Sequence, residues 1–147
     1  MPNERLEITL AEDYALAIGR VTYVFAVLEW QVVWCAEKLK AGFIANIGVK
    51  TAGNIGREFE LLVLAISDEA LKAAILPLAK DVRCLVRERN SILHGKPGTV
   101  KTSGQQRLFR DGSPWHIPEL DDAADRFAAC STKLNSIYYD ALQSYVS

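Results

Sequence analysis

From Ala15 to Ala36 the chain is apolar on more than one side of any helix it forms, interrupted by Arg20, Glu29 and Gln31. A bilayer span needs about 20 apolar residues, and an acid near its middle is costly. The segment therefore reads as a core helix. Such a helix is either surrounded by other helices or buried in a dimer interface. Its main stripe is Val21, Val24, Leu28, Val32, Cys35 and Leu39, at three-and-four spacing, within a helix from about Ala11 to Lys40 that ends near Gly42.

That one helix asks for others. A Gly-containing connection from Ala41 to Gly53 leads to a second helix over roughly Asn54 to Ile66. Ser67 is the expected N-cap of a third, with Asp68 and Glu69 in its first turn. The third helix carries Leu71, Ile75, Leu78, Val82 and Leu85. Pro77 should kink or split it, and Gly95 should end it as a C-cap with Pro97 just beyond. From Lys96 to His116 the chain is polar and Gly-rich, and Asp111-Gly112 marks a short hairpin. Pro118 suits the first turn of a last helix reaching about Tyr145, whose apolar face includes Leu120, Ala124, Phe127, Cys130, Leu134, Ile137 and Leu142. The expected fold is all-α: one domain over residues 1–147, a bundle of four to five helices with a loop or hairpin before the last.

Charge is unevenly spread along the chain. Between Lys80 and Arg110 eight basic residues and two acids give +6, which leaves −7 for the rest of a chain of net charge −1. This asymmetry is either a solvated helix face with a basic loop or a surface able to attract a phosphate backbone. Cys35, Cys84 and Cys130 are odd in number and far apart, and read as small buried groups in a reducing cytoplasm. Met1 to Glu12 is polar and acidic, unlike a signal peptide.

The chemistry concentrates in Arg89 to His94, spelled Arg-Asn-Ser-Ile-Leu-His. Arg89 follows Val82 and Leu85 and precedes Ile92, so it stands where the stripe calls for an apolar side chain. A guanidinium there needs a carboxylate or a bound anion. Glu29, with Phe25 and Val33 four residues to either side, breaks an apolar face in the same way and is a natural partner. The pair either fixes helix register or orients Arg89 towards a substrate phosphate. His94 stands on the last helical turn, at the helix C-terminus. Asn90 and Arg87 share its face. An Arg, a His and an amide around one pocket suit phosphodiester chemistry, with His moving a proton and Arg holding the anionic transition state. His94 and His116 are the only histidines, and the cysteine spacing is wrong for zinc, so neither a metal nor another cofactor is expected.

Arg89-Asn90-x-x-x-His94 resembles the Arg-Asn-x-x-x-His motif of the HEPN superfamily (higher eukaryotes and prokaryotes nucleotide-binding domains). Phe25-Ala26-Val27-Leu28-Glu29 resembles the first-helix Leu-Glu element of many such domains, and the order of helix, loop and final long helix is similar. The resemblance implies a homodimer whose two motifs face each other across a composite cleft, and metal-independent RNA cleavage to a 2′,3′-cyclic phosphate. On that reading His94 acts on the 2′-hydroxyl or the leaving oxygen and Arg89 stabilises the phosphorane-like state. Asn90 positions groups, and Glu29 orients Arg89 or a water. Arg87, Lys96, Lys101, Arg107 and Arg110 would bind flanking phosphates, and Trp115 would stack a base or pack on the bundle. Members of the family often act as toxins or in phage defence, opposed by an antitoxin such as a small nucleotidyltransferase. Others keep the fold without catalysis, as binding or dimerisation modules with a structural Arg-Glu-His cluster. An unrelated bundle that matches by chance is the third alternative.

Overall fold

The computed structural model describes residues 2–146. Four helices dominate: α1 (Glu12–Leu39), α2 (Ala52–Leu64), α3 (Glu69–Leu93) and α4 (Ile117–Tyr139). Between α3 and α4 lie three short strands, β1 (Lys96–Thr99), β2 (Gln106–Arg110) and β3 (Ser113–Pro114), paired antiparallel in that order. The fold is a mostly helical bundle carrying a small sheet, so the stretch before the last helix is a meander rather than a loop.

Helix α1 packs chiefly on α4 and α2, while α3 packs on α2 and α4. All of its expected stripe is buried except Val24, which is half-buried. Phe25 meets Phe127 of α4 edge-on at 5.2 Å between ring centroids. These residues, with Phe59, Ile75, Ile92, Leu120 and Leu134, form one continuous core.

Several boundaries differ from expectation for local reasons. The N-cap of α3 is Asp68, not Ser67: its carboxylate accepts the N–H groups of Ala70 and Leu71 at 3.0 and 3.1 Å. Pro77 does not split α3, because it removes only one donor while Ile75, Leu78 and Ala79 around it are buried. Helix α4 stops at Tyr139 instead of Tyr145. Beyond Asp140 the chain turns back, Leu142 donates its N–H to the Ile137 carbonyl, and its side chain is fully buried.

The turn at Asp111-Gly112 has both residues at positive φ, 49° and 80°, as a tight two-residue hairpin requires. Gly95 works differently. It ends α3 without a left-handed backbone, and a Cβ there would lie 2.9 Å from both the Ile92 carbonyl oxygen and Leu108 Cβ. Only glycine lets β2 lie this close to the end of α3. The sheet is tied to the bundle by Tyr14 of α1, whose hydroxyl donates to the Trp115 carbonyl at 2.7 Å and accepts the Leu108 N–H at 3.0 Å.

Candidate active site

The Arg-Asn-Ser-Ile-Leu-His hexad occupies the final turn of α3, with His94 as the helix C-cap. Three of its residues form a short hydrogen-bonded unit. Arg89 Nη1 donates to Asn90 Oδ1 at 3.0 Å, and the Asn90 carbonyl accepts the His94 N–H at 2.9 Å. Asn90 thus holds the guanidinium with its side chain, while its carbonyl makes the ordinary i→i−4 bond that closes the helix at His94. His94 is exposed at the helix end.

Arg89 is half-buried, as its place in the stripe requires, but its counterpart is not the expected one. Among the described residues it makes no ion pair. Its guanidinium instead lies over the Phe25 ring, 5.1 Å from the centroid. The ring face supplies negative quadrupole where a carboxylate was expected. A guanidinium has five N–H donors, and one is spent on Asn90, so most of the fork stays open to an anion.

Glu29 stands one helical turn beyond Phe25, beside an apolar niche lined by Val32, Ile55, Val82 and Val86. Burial raises its carboxyl above the usual range, and the nearby Arg89 charge only partly opposes that. Glu29 therefore senses Arg89 without being bonded to it. The triad of Glu29, Arg89 and His94 is not a salt-bridged cluster. The reason is that α1 and α3 touch only briefly, and Phe25 fills the space between them.

Beside the hexad, α3, the sheet and α4 enclose an open cleft of about 480 Å³. Arg87, Glu88 and Ser91 line it from α3, Arg110 and Trp115 from the sheet, and Glu119, Asp122 and Arg126 from α4. Arg87, Ser91 and His94 follow one another at four- and three-residue spacing, so His94 lies on the same face of α3, one turn beyond. Arg126 is held charged by its ion pair with Glu88. The cleft carries three arginines and three carboxylates, so it is not the uniformly basic surface that the +6 segment suggested; α4 supplies two of the acids and α3 the third, Glu88.

The expected phosphate-binding residues separate into groups. Arg87 and Arg110 line the cleft, and Lys96 pairs in register with Phe109, next to Arg110. Lys101 sits in the turn at the far end of the β1–β2 hairpin. Arg107 is buried on β2, its guanidinium 4.3 Å from the Tyr14 ring centroid and one of its nitrogens donating to the Gln106 carbonyl. It lines a different depression, with Thr9 and Asp13. Trp115 is buried with the Arg110 guanidinium stacked 4.4 Å from its centroid, so it packs on the bundle and has no free face for a base. Glu88, Ser91, Glu119, Asp122 and Arg126 line the cleft without being among the expected site residues. Ser91 lies inside the hexad and was discoverable by its spacing from Arg87. The α4 residues carry no local signal.

Comparison of the chain with protein-family models, with curated proteins and with solved structures gave no match.

Proposed function

We propose that the chain is a metal-independent endoribonuclease of HEPN type. The observation that carries this reading is the end of α3: a guanidinium fixed by Asn90 and Phe25, and an exposed His94 on the helix face that leads into a cleft flanked by Arg87 and Arg110. In the proposed step the 2′-hydroxyl oxygen attacks the adjacent phosphorus and the bond to the 5′-oxygen breaks. The products are a 2′,3′-cyclic phosphate and a 5′-hydroxyl end. His94 accepts the 2′-hydroxyl proton or delivers one to the leaving oxygen, and solvent water supplies or takes up the other. Arg89 holds a non-bridging oxygen as charge develops on it. Asn90 is a positioning residue. Arg87, Arg110 and Lys96 hold neighbouring phosphates.

RNA is the proposed substrate, and the proposed setting is a cytoplasmic toxin–antitoxin or phage-defence system, for which a small nucleotidyltransferase encoded nearby would be the fitting partner. The seat of Arg89 on Phe25 favours a second reading, a binding module in which the cluster is structural. The two part on one experiment. Wild-type protein and His94→Ala are incubated with total RNA in EDTA, and product ends are typed by phosphatase and kinase treatment. Cyclic-phosphate ends from wild type alone support the nuclease. No cleavage by either, or equal cleavage by both, removes it.

A further inference from the structure

Helix α1 presents a second apolar face that the described residues leave largely uncovered. Leu16, Tyr23, Val27, Trp30 and Trp34 recur at helical spacing and are 44–73% exposed. They lie half a turn away from the buried line of Val21, Phe25, Leu28 and Val32. Arg20 is the one charge on the stripe, seven residues before Val27 as Trp34 is seven after it. The stripe ends in an aromatic cluster. Trp30 and Trp34 lie 6.5 Å apart, Trp34 meets Tyr138 of α4 edge-on at 6.3 Å, and the exposed Tyr139 adjoins Tyr138. The most apolar window of α1 has mean hydropathy 1.4, yet only 33% of it is buried within the chain.

We propose that this face is covered by the same face of a second copy, with the two α1 helices antiparallel about a two-fold axis at Val27. Charge selects that direction. The first turn of α1 holds Glu12 and Asp13, and its far end holds Lys38 and Lys40, while Glu37 between the stripe and these lysines is engaged by the backbone N–H groups of Gly42 and Ile44. Antiparallel pairing sets acidic ends on basic ends, whereas parallel pairing stacks like on like. The spacing selects the register. An axis at Val27 puts Arg20 of each copy over Trp34 of the other, where a guanidinium is stabilised by the indole face.

The area is sufficient. Tyr and Trp side chains present about 150–250 Å² each, and Tyr23, Trp30 and Trp34 are about half open. With Leu16, Val27 and Tyr139 the patch is on the order of 600 Å², close to the ~800 Å² per partner of a standard interface and at the upper end of what monomers leave uncovered. Because the stripe points away from Phe25 and Arg89, this pairing sets the two hexads on opposite outer sides of the dimer. It does not build the face-to-face cleft that the resemblance implies, and it stands independently of the nuclease reading.

The experiment is sedimentation equilibrium at micromolar concentration with cysteine cross-linking. Wild type is expected at twice the 16.3 kDa chain mass, and Trp30→Glu at the single mass with an unchanged circular dichroism spectrum. In a Cys84→Ser background, which removes the exposed native thiol, Val27→Cys is expected to link to itself through a short bismaleimide. Leu16→Cys is not, because antiparallel pairing places the two Leu16 positions about 33 Å apart along the helices. Linking of both positions would mean parallel pairing and overturn the proposal. A monomeric wild type would overturn it too, and one that floats with phosphatidylcholine–phosphatidylglycerol vesicles would assign the face to a lipid surface instead.

Discussion

At the residue scale the hexad separates what holds a guanidinium from what uses it. Arg89 is seated by Phe25 and Asn90, so Arg89→Lys keeps the charge and loses the planar fork that the ring and the amide both engage. We expect Arg89→Lys to cleave RNA at least ~10²-fold more slowly than wild type, measured as single-turnover rates under saturating protein. A rate within a few-fold would show that a point charge suffices.

Glu29 gives the sharper contrast. Its carboxyl is raised mainly by burial, so the folded protein binds that proton more tightly than the unfolded chain does. Folding stability therefore falls as pH rises through the window from the ordinary carboxylate value to the raised one, and the penalty is complete above it. Glu29→Gln should melt at a higher temperature than wild type at pH 8, and the two should converge at pH 4. If Glu29 orients Arg89 or a water, the same variant cleaves more slowly while being more stable, a trade that a purely structural residue does not make. A Glu29→Gln protein less stable than wild type at pH 8 would mean that its attraction to Arg89 outweighs its burial.

At the element scale the sequence was most informative where periodicity acts alone. The three-and-four spacing of Val21, Val24, Leu28, Val32, Cys35 and Leu39, and of Ile75, Leu78, Val82 and Leu85, located α1 and α3, because burial on one side of a helix leaves its period in the sequence. The hexad was legible for the same reason: Arg89 disturbs a regular stripe. The sheet's attachment was not. It depends on Tyr14 reaching Trp115 and Leu108, some hundred residues away, and no local pattern records such a bond. The acidic wall of the cleft was equally hidden, since Glu119 and Asp122 look like ordinary first-turn and surface acids of α4. Gly95 does stop α3, one residue beyond the His94 cap, and it is glycine because of the close approach to Leu108 rather than a left-handed backbone.

Two predictions belong to these elements. Tyr14→Phe removes one donor and one acceptor and should destabilise the protein by about 1–3 kcal/mol, read by urea denaturation, with β2 amides exchanging faster than those of α1. Gly95→Ala forces Leu108 or the end of α3 to move and should cost about 1–3 kcal/mol. Unchanged stability in Gly95→Ala would mean that the sheet is free to shift away from the helix.

At the scale of the whole molecule the two faces of α1 have separate assignments. One carries Phe25 and Glu29 towards α3 and the hexad, and the other carries Trp30 and Trp34 outward. Dissociating the proposed dimer with Trp30→Glu should accordingly leave RNA cleavage within a few-fold of wild type at equal chain concentration. Loss of cleavage on dissociation would instead show that both copies are needed at each site.

The hexad itself is tested by pairing two readings on one variant, RNA cleavage in EDTA and thermal unfolding of His94→Ala. The His94 side chain is exposed at the helix end, so its removal should leave the melting temperature within about 1–2 °C, a shift corresponding to less than about 0.5 kcal/mol for a chain of this size. Cleavage should fall at least ~10²-fold. A variant that melts like wild type and still cleaves RNA at the wild-type rate would contradict the assignment of His94 as the proton-transfer group.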